Sequence, residues 1–518
     1  MTGTDFKRLP LAVAATMLCA MPAQGAGGPV AARAVDYVRA CSLYGVGYYY
    51  LPGTETCIKL GGYVRYEAYH NAAGGTYPTT TAQGVMNRNT ATFAAQARFR
   101  LSTDIRTQTE YGTLRSYVSF GVNWLNNPGG AFESASHVTI ALERAFVQFA
   151  GFTVGRADTF FAFYSSPPYT FLTFSFDGST GNTGMNVFAF THEFGNGLSA
   201  TISLEDQIAH GAPVIDLGRA NAVTSTAGVM GAGLFAQPGA PFSDMRGQWV
   251  PDIVANVRLH QSWGGVQIKA ALHRVGAGYN FSGPAGAGCS APNTTVCAHP
   301  DDVWGFAAGA GIRLNLPWTS NDTLSGVIAY SQGASRYVAF SQNANALQGA
   351  SGLALGPFTD AVFGGAGADG GAQSDLLLTR AVGGSAALEH YWTPNLRTAF
   401  VFGYLSMSYS EAAKVQIANL GQRCALGGAA TTAFNVRNCD PDWSAWRVAA
   451  RTMWTPVANF DVGLEVGYSR IDTAFAGEAS IPAGAGNPNG TGLSHGRYAI
   501  ADQGVWTATV RVQRSFWP

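Results

Sequence analysis

The residues of this chain that could do chemistry are few and scattered. "GLSHG", from Gly492 to Gly496, matches the G-x-S-x-G turn that presents a nucleophilic serine. That turn needs a strand before it and a helix after it. Here "IPAGAGNPNGT" precedes it and no helical pattern follows, so it reads as a loop. His192 and Glu193 adjoin each other but form no H-E-x-x-H, the spacing that sets two histidines on one helix face for zinc. His192 reads instead as a polar strand position. "GVGYYY" has no phosphate-loop context. These residues supply no catalytic set, so the chain is not expected to be an enzyme, and no cofactor or metal is expected.

The cysteines point elsewhere. There are seven, and Cys19 lies in an N-terminal segment expected to be removed. The others fall into local pairs: Cys41 with Cys57, Cys289 with Cys297, Cys424 with Cys439. Local, even-numbered pairing in an exported chain reads as disulfides. Metal binding is the alternative, but there is no C-x-x-C and no histidine at ligand spacing. A bridge closing about 15 residues ahead of a strand restricts the unfolded chain by roughly 3 kcal/mol in the entropic account.

Export follows from "MTGTDFKRLPLAVAATMLCAMPAQGA". Lys7 and Arg8 precede an apolar stretch from Leu9 to about Met21, and Ala23 and Gly25 fit a cleavage site. The apolar stretch is shorter than the roughly 20 residues of a spanning helix. The expectation is a signal peptide over 1–25, cut after Gly25, and one domain over 26–518. The formal net charge is +0, and removing Asp5, Lys7 and Arg8 leaves −1, so nothing favours nucleic acid. Charged residues make up only 12%, against roughly 25% in soluble domains. Aromatics reach 12% and glycines number 65. So little charge suits a soluble protein poorly. It suits a membrane β-barrel, whose apolar residues are spread one in two along many short strands.

The elements that must carry the charged residues can be counted. Alternating segments lie at 57–70, 92–107, 111–124, 137–149, 151–157, 186–193, 197–206, 249–261, 263–275, 302–316, 323–332, 383–392, 395–409, 443–455, 459–470 and 504–517. Short links such as "FGNG" and "YWTPN" alternate with long ones rich in Gly, Ala, Ser, Asn and Pro. That is the pattern of an all-β, sixteen-stranded antiparallel up-and-down barrel crossing a membrane, with short turns on one side and long loops on the other. In "AAQARFRLSTDIR", Ala95, Ala97, Phe99, Leu101 and Ile105 form one face and Gln96, Arg98, Arg100, Asp104 and Arg106 the other. A soluble sandwich would alternate similarly, but the export signal and low charge favour lipid outside and water within. Trp124, Trp263, Trp318, Trp392, Trp454 and Trp506, near strand ends, suit interfacial girdles.

"CSLYGVGYYYLPGTETCIKLGGYVRYE", "LERAFVQFAGFTVGRADTFFAFY", "NVFAFTHEFGNGLSATISLED" and the ending "VRVQRSFWP" resemble the general-diffusion porins of alphaproteobacterial outer membranes. The long loops 207–248 and 333–382 carry none of the likeness. Phe516 is followed by Trp517 and Pro518, whereas such barrels usually end on an aromatic residue. The resemblance implies an outer-membrane barrel, usually a homotrimer, with its third long loop folded into the pore. The partners implied are outer-membrane lipid and lipopolysaccharide, and small hydrophilic solutes.

Alternation places Lys59, Arg65, Arg98, Arg100, Arg115 and Arg144 on the inner wall, with Arg156 at the root of the third loop. Facing them would be Asp158 and Asp177 on that loop. In porins of this kind a basic wall opposes an acidic loop, and the transverse field orients dipolar solutes. Salt bridges that merely hold the loop are the plainer alternative. The best reading is passive diffusion of small hydrophilic solutes and ions. A substrate-selective channel is favoured by the aromatic loop, and a structural or adhesive barrel by the length of 333–382.

Overall fold

In the computed structural model, described residues are 39–71, 92–126, 136–163, 169–172, 176, 178, 184–216, 245–278, 299–319, 321–339, 345–348, 354–363, 375–419, 434–438, 440–474, 476–481 and 496–516. The segment 1–25, Asp177, the tail Trp517–Pro518, the serine of "GLSHG" and the cysteines at 289, 297, 424 and 439 lie outside them.

Sixteen long strands form the wall. They are β1 (Thr56–His70), β2 (Phe93–Thr109), β3 (Gly112–Asn126), β4 (Ser136–Phe149), β5 (Phe152–Ala157), β6 (Met185–Gly195), β7 (Leu198–Glu205) and β8 (Asp252–Gln261). Then come β9 (Gly264–Val275), β10 (Val303–Asn315), β11 (Thr323–Gln332), β12 (Arg380–Thr393), β13 (Leu396–Ser408), β14 (Trp443–Val457), β15 (Phe460–Asp472) and β16 (Gln503–Phe516). Each pairs antiparallel with its sequence neighbour, and β16 returns to β1 with Phe516 opposite Gly62 and Ala508 opposite His70. The sheet is therefore closed. Closure is what hydrocarbon demands, because every backbone N–H and C=O must find a partner inside the protein.

The period-2 pattern becomes two faces. Val64, Phe99, Ile202, Ile268, Phe400 and Leu464 are exposed on the outside. Their neighbours Glu67, Arg144, Ser203, Lys269 and Glu465 are buried on the inside. All six tryptophans expected in the girdles are exposed, from 43% for Trp263 to 64% for Trp318. They suit the membrane–water boundary, where an aromatic ring is half wetted.

The Cys41–Cys57 disulfide is formed. It folds residues 41–50 back on the start of β1, where Tyr49 pairs with Ile58 and Tyr50 with Cys57. Lys59 and Arg106 lie over the Tyr48 ring at 5.7 and 5.1 Å. Burial, then the Asp104 carboxylate beside it, pushes the Tyr48 hydroxyl up to about 12. It therefore stays a neutral donor.

The outer half of the barrel has a core of its own. Val214–Asp216 pairs in parallel with Ala361–Phe363, which pairs with Leu377–Leu378. Phe358, Val362, Phe363, Tyr337 and Val338 are fully buried. Phe358, Val362, Tyr337 and Val338 share a cluster with inward alanines of the wall, including Ala271, Ala307, Ala329 and Ala381, while Phe363 clusters with Val214, Val275 and Ala277. The described parts of loops 207–248 and 333–382 thus fold into the barrel mouth instead of standing out as free arms.

Candidate functional site: the charged lumen and the third loop

The charged wall is built where β16, β1, β2, β3 and β4 run side by side. β1 and β2 bring Tyr63 opposite Arg100, Arg65 opposite Arg98 and Glu67 opposite Gln96. On β4 the register shifts at Ser119/Phe120, so Leu142 faces Phe120 and Arg144 faces Ser119. The extra residue is Glu143. A bulge of this kind turns two consecutive side chains to one face, and Glu143 and Arg144 are both buried, at 2% and 8% exposure.

Glu143 is the acceptor around which the arginines gather. Arg98 pairs with it through Nη2. Arg100 reaches it through Nε at 2.9 Å and also donates to Ser119 Oγ at 2.9 Å. Arg144 pairs with Asp158 at the root of the third loop. Nearer the short turns, Asp104 accepts from Arg106 at 2.9 Å and Arg115 at 2.8 Å. Arg115 also donates to Gln148 at 2.8 Å. Arg65 donates to Gln513 at 2.8 Å and stacks over Tyr63 at 4.3 Å. Lys59 points to the disulfide-closed turn and donates to Val46 O at 3.3 Å.

Six of the seven basic positions expected on the wall therefore face inward, and Arg156 does not. It stands beside Ala145 and Asn186 on the face of the exposed Val154, opposite to the buried Thr153 and Ala157. Its Nε donates to Leu142 O at 2.8 Å on the outer surface. In the strand at 152–157 Phe152 and Val154 are exposed and Thr153 and Ala157 buried, and the half-buried Arg156 shares the parity of Val154, away from the lumen.

Several charged residues belong beside those expected. Glu67 takes Arg511. Glu465 takes Arg447 at 2.9 Å, and Glu389 takes Arg451 at 2.8 Å. All sit at inward parity in segments whose alternation was legible. Extending the count around all sixteen strands would have found them.

The third loop crosses the lumen from one wall to the other. Its carbonyls at Phe160, Ala162 and Phe163 accept from Asn256 (2.7 Å), Gln267 (3.3 Å) and Arg258 (3.1 Å). Tyr169 shares a hydrogen bond with Ser325 at 2.9 Å. Glu465 then accepts from the Thr170 hydroxyl at 2.8 Å and the Phe171 N–H at 2.5 Å. Arg511 lies 3.9 Å over the Phe171 ring. Leu172 packs against Tyr69 and Ala94 on the charged wall. Among the described residues, Phe161, Phe163, Tyr169, Phe171 and Phe176 are buried, and Phe160 is half-buried. The loop's aromatics are its attachment points. Wall glycines make their slots: a Cβ at Gly311 would meet the Phe163 ring at 2.6 Å, and one at Gly463 the Phe171 ring at 2.6 Å.

Beneath the loop a water-accessible cavity of about 640 Å³ opens between β2–β9 and the loop's first turn. Arg100, Arg144, Asp158, Glu193 and Arg258 line it, with Tyr117 and Phe146 between them.

A closed sixteen-stranded barrel with an inward third loop and a charged lumen is matched by the sequence model of the porin subfamily over residues 28–495. The chain belongs to the porin family. This porin is 34% identical over 207 residues to porin Omp2b of Brucella suis and of Brucella abortus, a stretch covering 39% of this chain and 54% of theirs. It thus spans about half the length of the curated relatives it matches. Among solved structures, the outer membrane channel DcaP of Acinetobacter baumannii superposes with a TM-score of 0.52 at 13% identity, covering 90% of this porin and 99% of that chain. At that identity the likeness is one of fold. The strands of this porin cross the outer membrane.

Proposed function

We propose that this porin is a passive channel for small hydrophilic solutes and ions, without chemistry of its own, and that it works as a homotrimer. The observation that carries this reading is the 640 Å³ charged cavity beneath a loop pinned on both walls. A barrel of sixteen strands is wide enough for an aqueous lumen. The loop narrows that lumen, and its described residues are held there by packing and hydrogen bonds to the wall. The constriction is formed by Arg98, Arg100, Arg144 and Asp158, with Lys59, Arg65 and Arg115 setting the field below it. Each of those arginines has a carboxylate or amide partner, so the field is moderated. Arg258 meets a backbone carbonyl rather than an acid, which leaves the cavity with a modest cationic excess. Weak anion preference follows.

An N-terminal signal cleaved after Gly25 delivers the chain to the periplasm in this scheme. Planar-bilayer recording on the purified protein tests the function. Stepwise currents that scale with bulk conductivity and give a small anion-leaning reversal potential are expected. No current, or current that saturates with one solute, overturns it.

A further inference from the structure

The cavity beneath the third loop holds two opposite charges that do not meet. Glu193 of β6 and Arg258 of β8 both pair with Ser199 of β7, one from each side, so the three stand in one row across the wall. All three line the cavity. Neighbouring strands lie about 4.8 Å apart, which sets the backbones of Glu193 and Arg258 roughly 10 Å apart. On the charged wall acid and arginine are joined directly, as Glu143 is to Arg98 and Arg100. In this row a serine stands between them.

The third loop holds the two charges apart. Arg258 donates from Nη2 to Phe163 O at 3.1 Å, and its guanidinium lies 5.0 Å over the Phe163 ring. Phe163 is seated in the slot of Gly311 on β10. Gly311 belongs to the same row, beyond Gln267 of β9. The guanidinium is therefore drawn towards β10 and away from β6. Among the described residues Arg258 has no carboxylate partner, and the exposed Glu193 has neither hydrogen bond nor ion pair. Between the two charges the wall offers small neutral hydroxyls. Ser199 lies in the row itself, and Thr191 and Thr201, which share a hydrogen bond at 2.9 Å, lie in the next inward row.

A simple anion can use Arg258 alone, and a simple cation Glu193 alone. A solute that carries an ammonium and a carboxylate a few bonds apart can meet both at once, with hydroxyls beside its middle. Both contacts would be charge-assisted hydrogen bonds, roughly twice as strong as neutral ones. We infer that this row is a binding station for small zwitterions, amino acids and short peptides, with the ammonium at Glu193 and the carboxylate at Arg258. The inference rests on the passive channel proposed above and names a class of solute that it takes. A zwitterion carries no net charge, so it interrupts the ion current while it occupies the row and adds none of its own.

The test is planar-bilayer recording of potassium chloride current at neutral pH, with diglycine added on both sides. Brief interruptions whose frequency rises with diglycine concentration are expected. N-acetyl-diglycine, which lacks the ammonium, and diglycine amide, which lacks the carboxylate, should interrupt several-fold less often at equal concentration. Glu193→Gln should weaken the diglycine effect several-fold and leave that of N-acetyl-diglycine no weaker. Arg258→Gln should weaken both. Equal effects of the three peptides, or a diglycine effect that survives Glu193→Gln, overturn the inference, while the ion current keeps the channel standing. No ion current from the unmodified protein overturns the channel and the inference with it. Should Glu193→Gln fail to fold, the ranking of the three peptides on the unmodified protein decides.

Discussion

Two walls of one barrel do different work. The wall from β16 to β4 turns Arg511, Arg65, Glu67, Arg98, Arg100, Asp104, Arg115, Glu143 and Arg144 inward. The wall from β10 to β12 turns Ala307, Gly309, Gly311, Ser325, Ala329, Ala381, Gly383, Ser385 and Ala387 inward. Both alternate, and both have apolar outer faces, so lipid sees little difference. The lumen sees two surfaces. Small side chains let the loops approach the backbone closely, and the loop aromatics and the outer-mouth core pack there. Long charged side chains pair chiefly with one another across neighbouring strands, and they touch the loop at fewer points: Arg144 at Asp158, Arg511 at Phe171. One wall is the packing surface, and the other carries the charges.

The largest way to break this comparison is Glu465→Ala. Glu465 is 1% exposed, pairs with Arg447 and holds Thr170 and Phe171. Removing it leaves the buried Arg447 with only the Ser469 and Thr507 hydroxyls and no counter-charge, which costs about 3–5 kcal/mol. The third loop should detach on that side, and single-channel conductance should rise and become noisy. Unchanged, quiet conductance would mean that the loop is held elsewhere.

Next is the outer face. Val64→Arg places a charge on a side chain that is 55% exposed to lipid. At the bilayer midplane this costs about 2–4 kcal/mol. Refolding yield into lipid vesicles, followed by the gel shift between folded and unfolded barrel, should fall. Full yield would remove the proposed register of β1.

Gly383→Leu tests the anchoring wall. An added Cβ there would meet Val338 at 2.6 Å and Phe176 at 3.2 Å. Overpacking of this sort costs about 1–3 kcal/mol. The thermal midpoint should drop while the ion preference stays unchanged. An unaltered midpoint would show the slot to be loosely packed.

The smallest effect belongs to the charged wall. Arg98→Ala or Arg100→Ala removes one of the two cations on Glu143. The reversal potential should move towards cations by a small step. That step should be larger in dilute salt, where the screening length is about 30 Å at 0.01 M. A reversal potential unmoved by both would assign selectivity to other charges.

The strands were legible almost residue by residue, from 57–70 for β1 to 504–517 for β16. The inward arginines of β1 to β4 followed from parity, and the girdle tryptophans from their places near strand ends. The period of two is local: it depends on each residue's own backbone and the boundary between lipid and water. What parity did not supply was the bulge that turns Glu143 beside Arg144, because a bulge exists only relative to the paired strand. The partners of each arginine were equally hidden, since Arg447 and Glu465, or Arg511 and Glu67, meet only after strands far apart in sequence are set in register. Arg156 shows the limit. It was placed by its position near a loop, when its own alternation with Thr153 and Ala157 directs it outward.

The sequence by itself determined a sixteen-stranded exported barrel, its two faces and its first disulfide, because these need only short-range periodicity, composition and spacing. Tertiary structure alone decided where the third loop ends, which glycines receive its aromatics and which carboxylates neutralise which cations. Those outcomes depend on side chains brought together by closure of the sheet, and closure is a property of the whole wall.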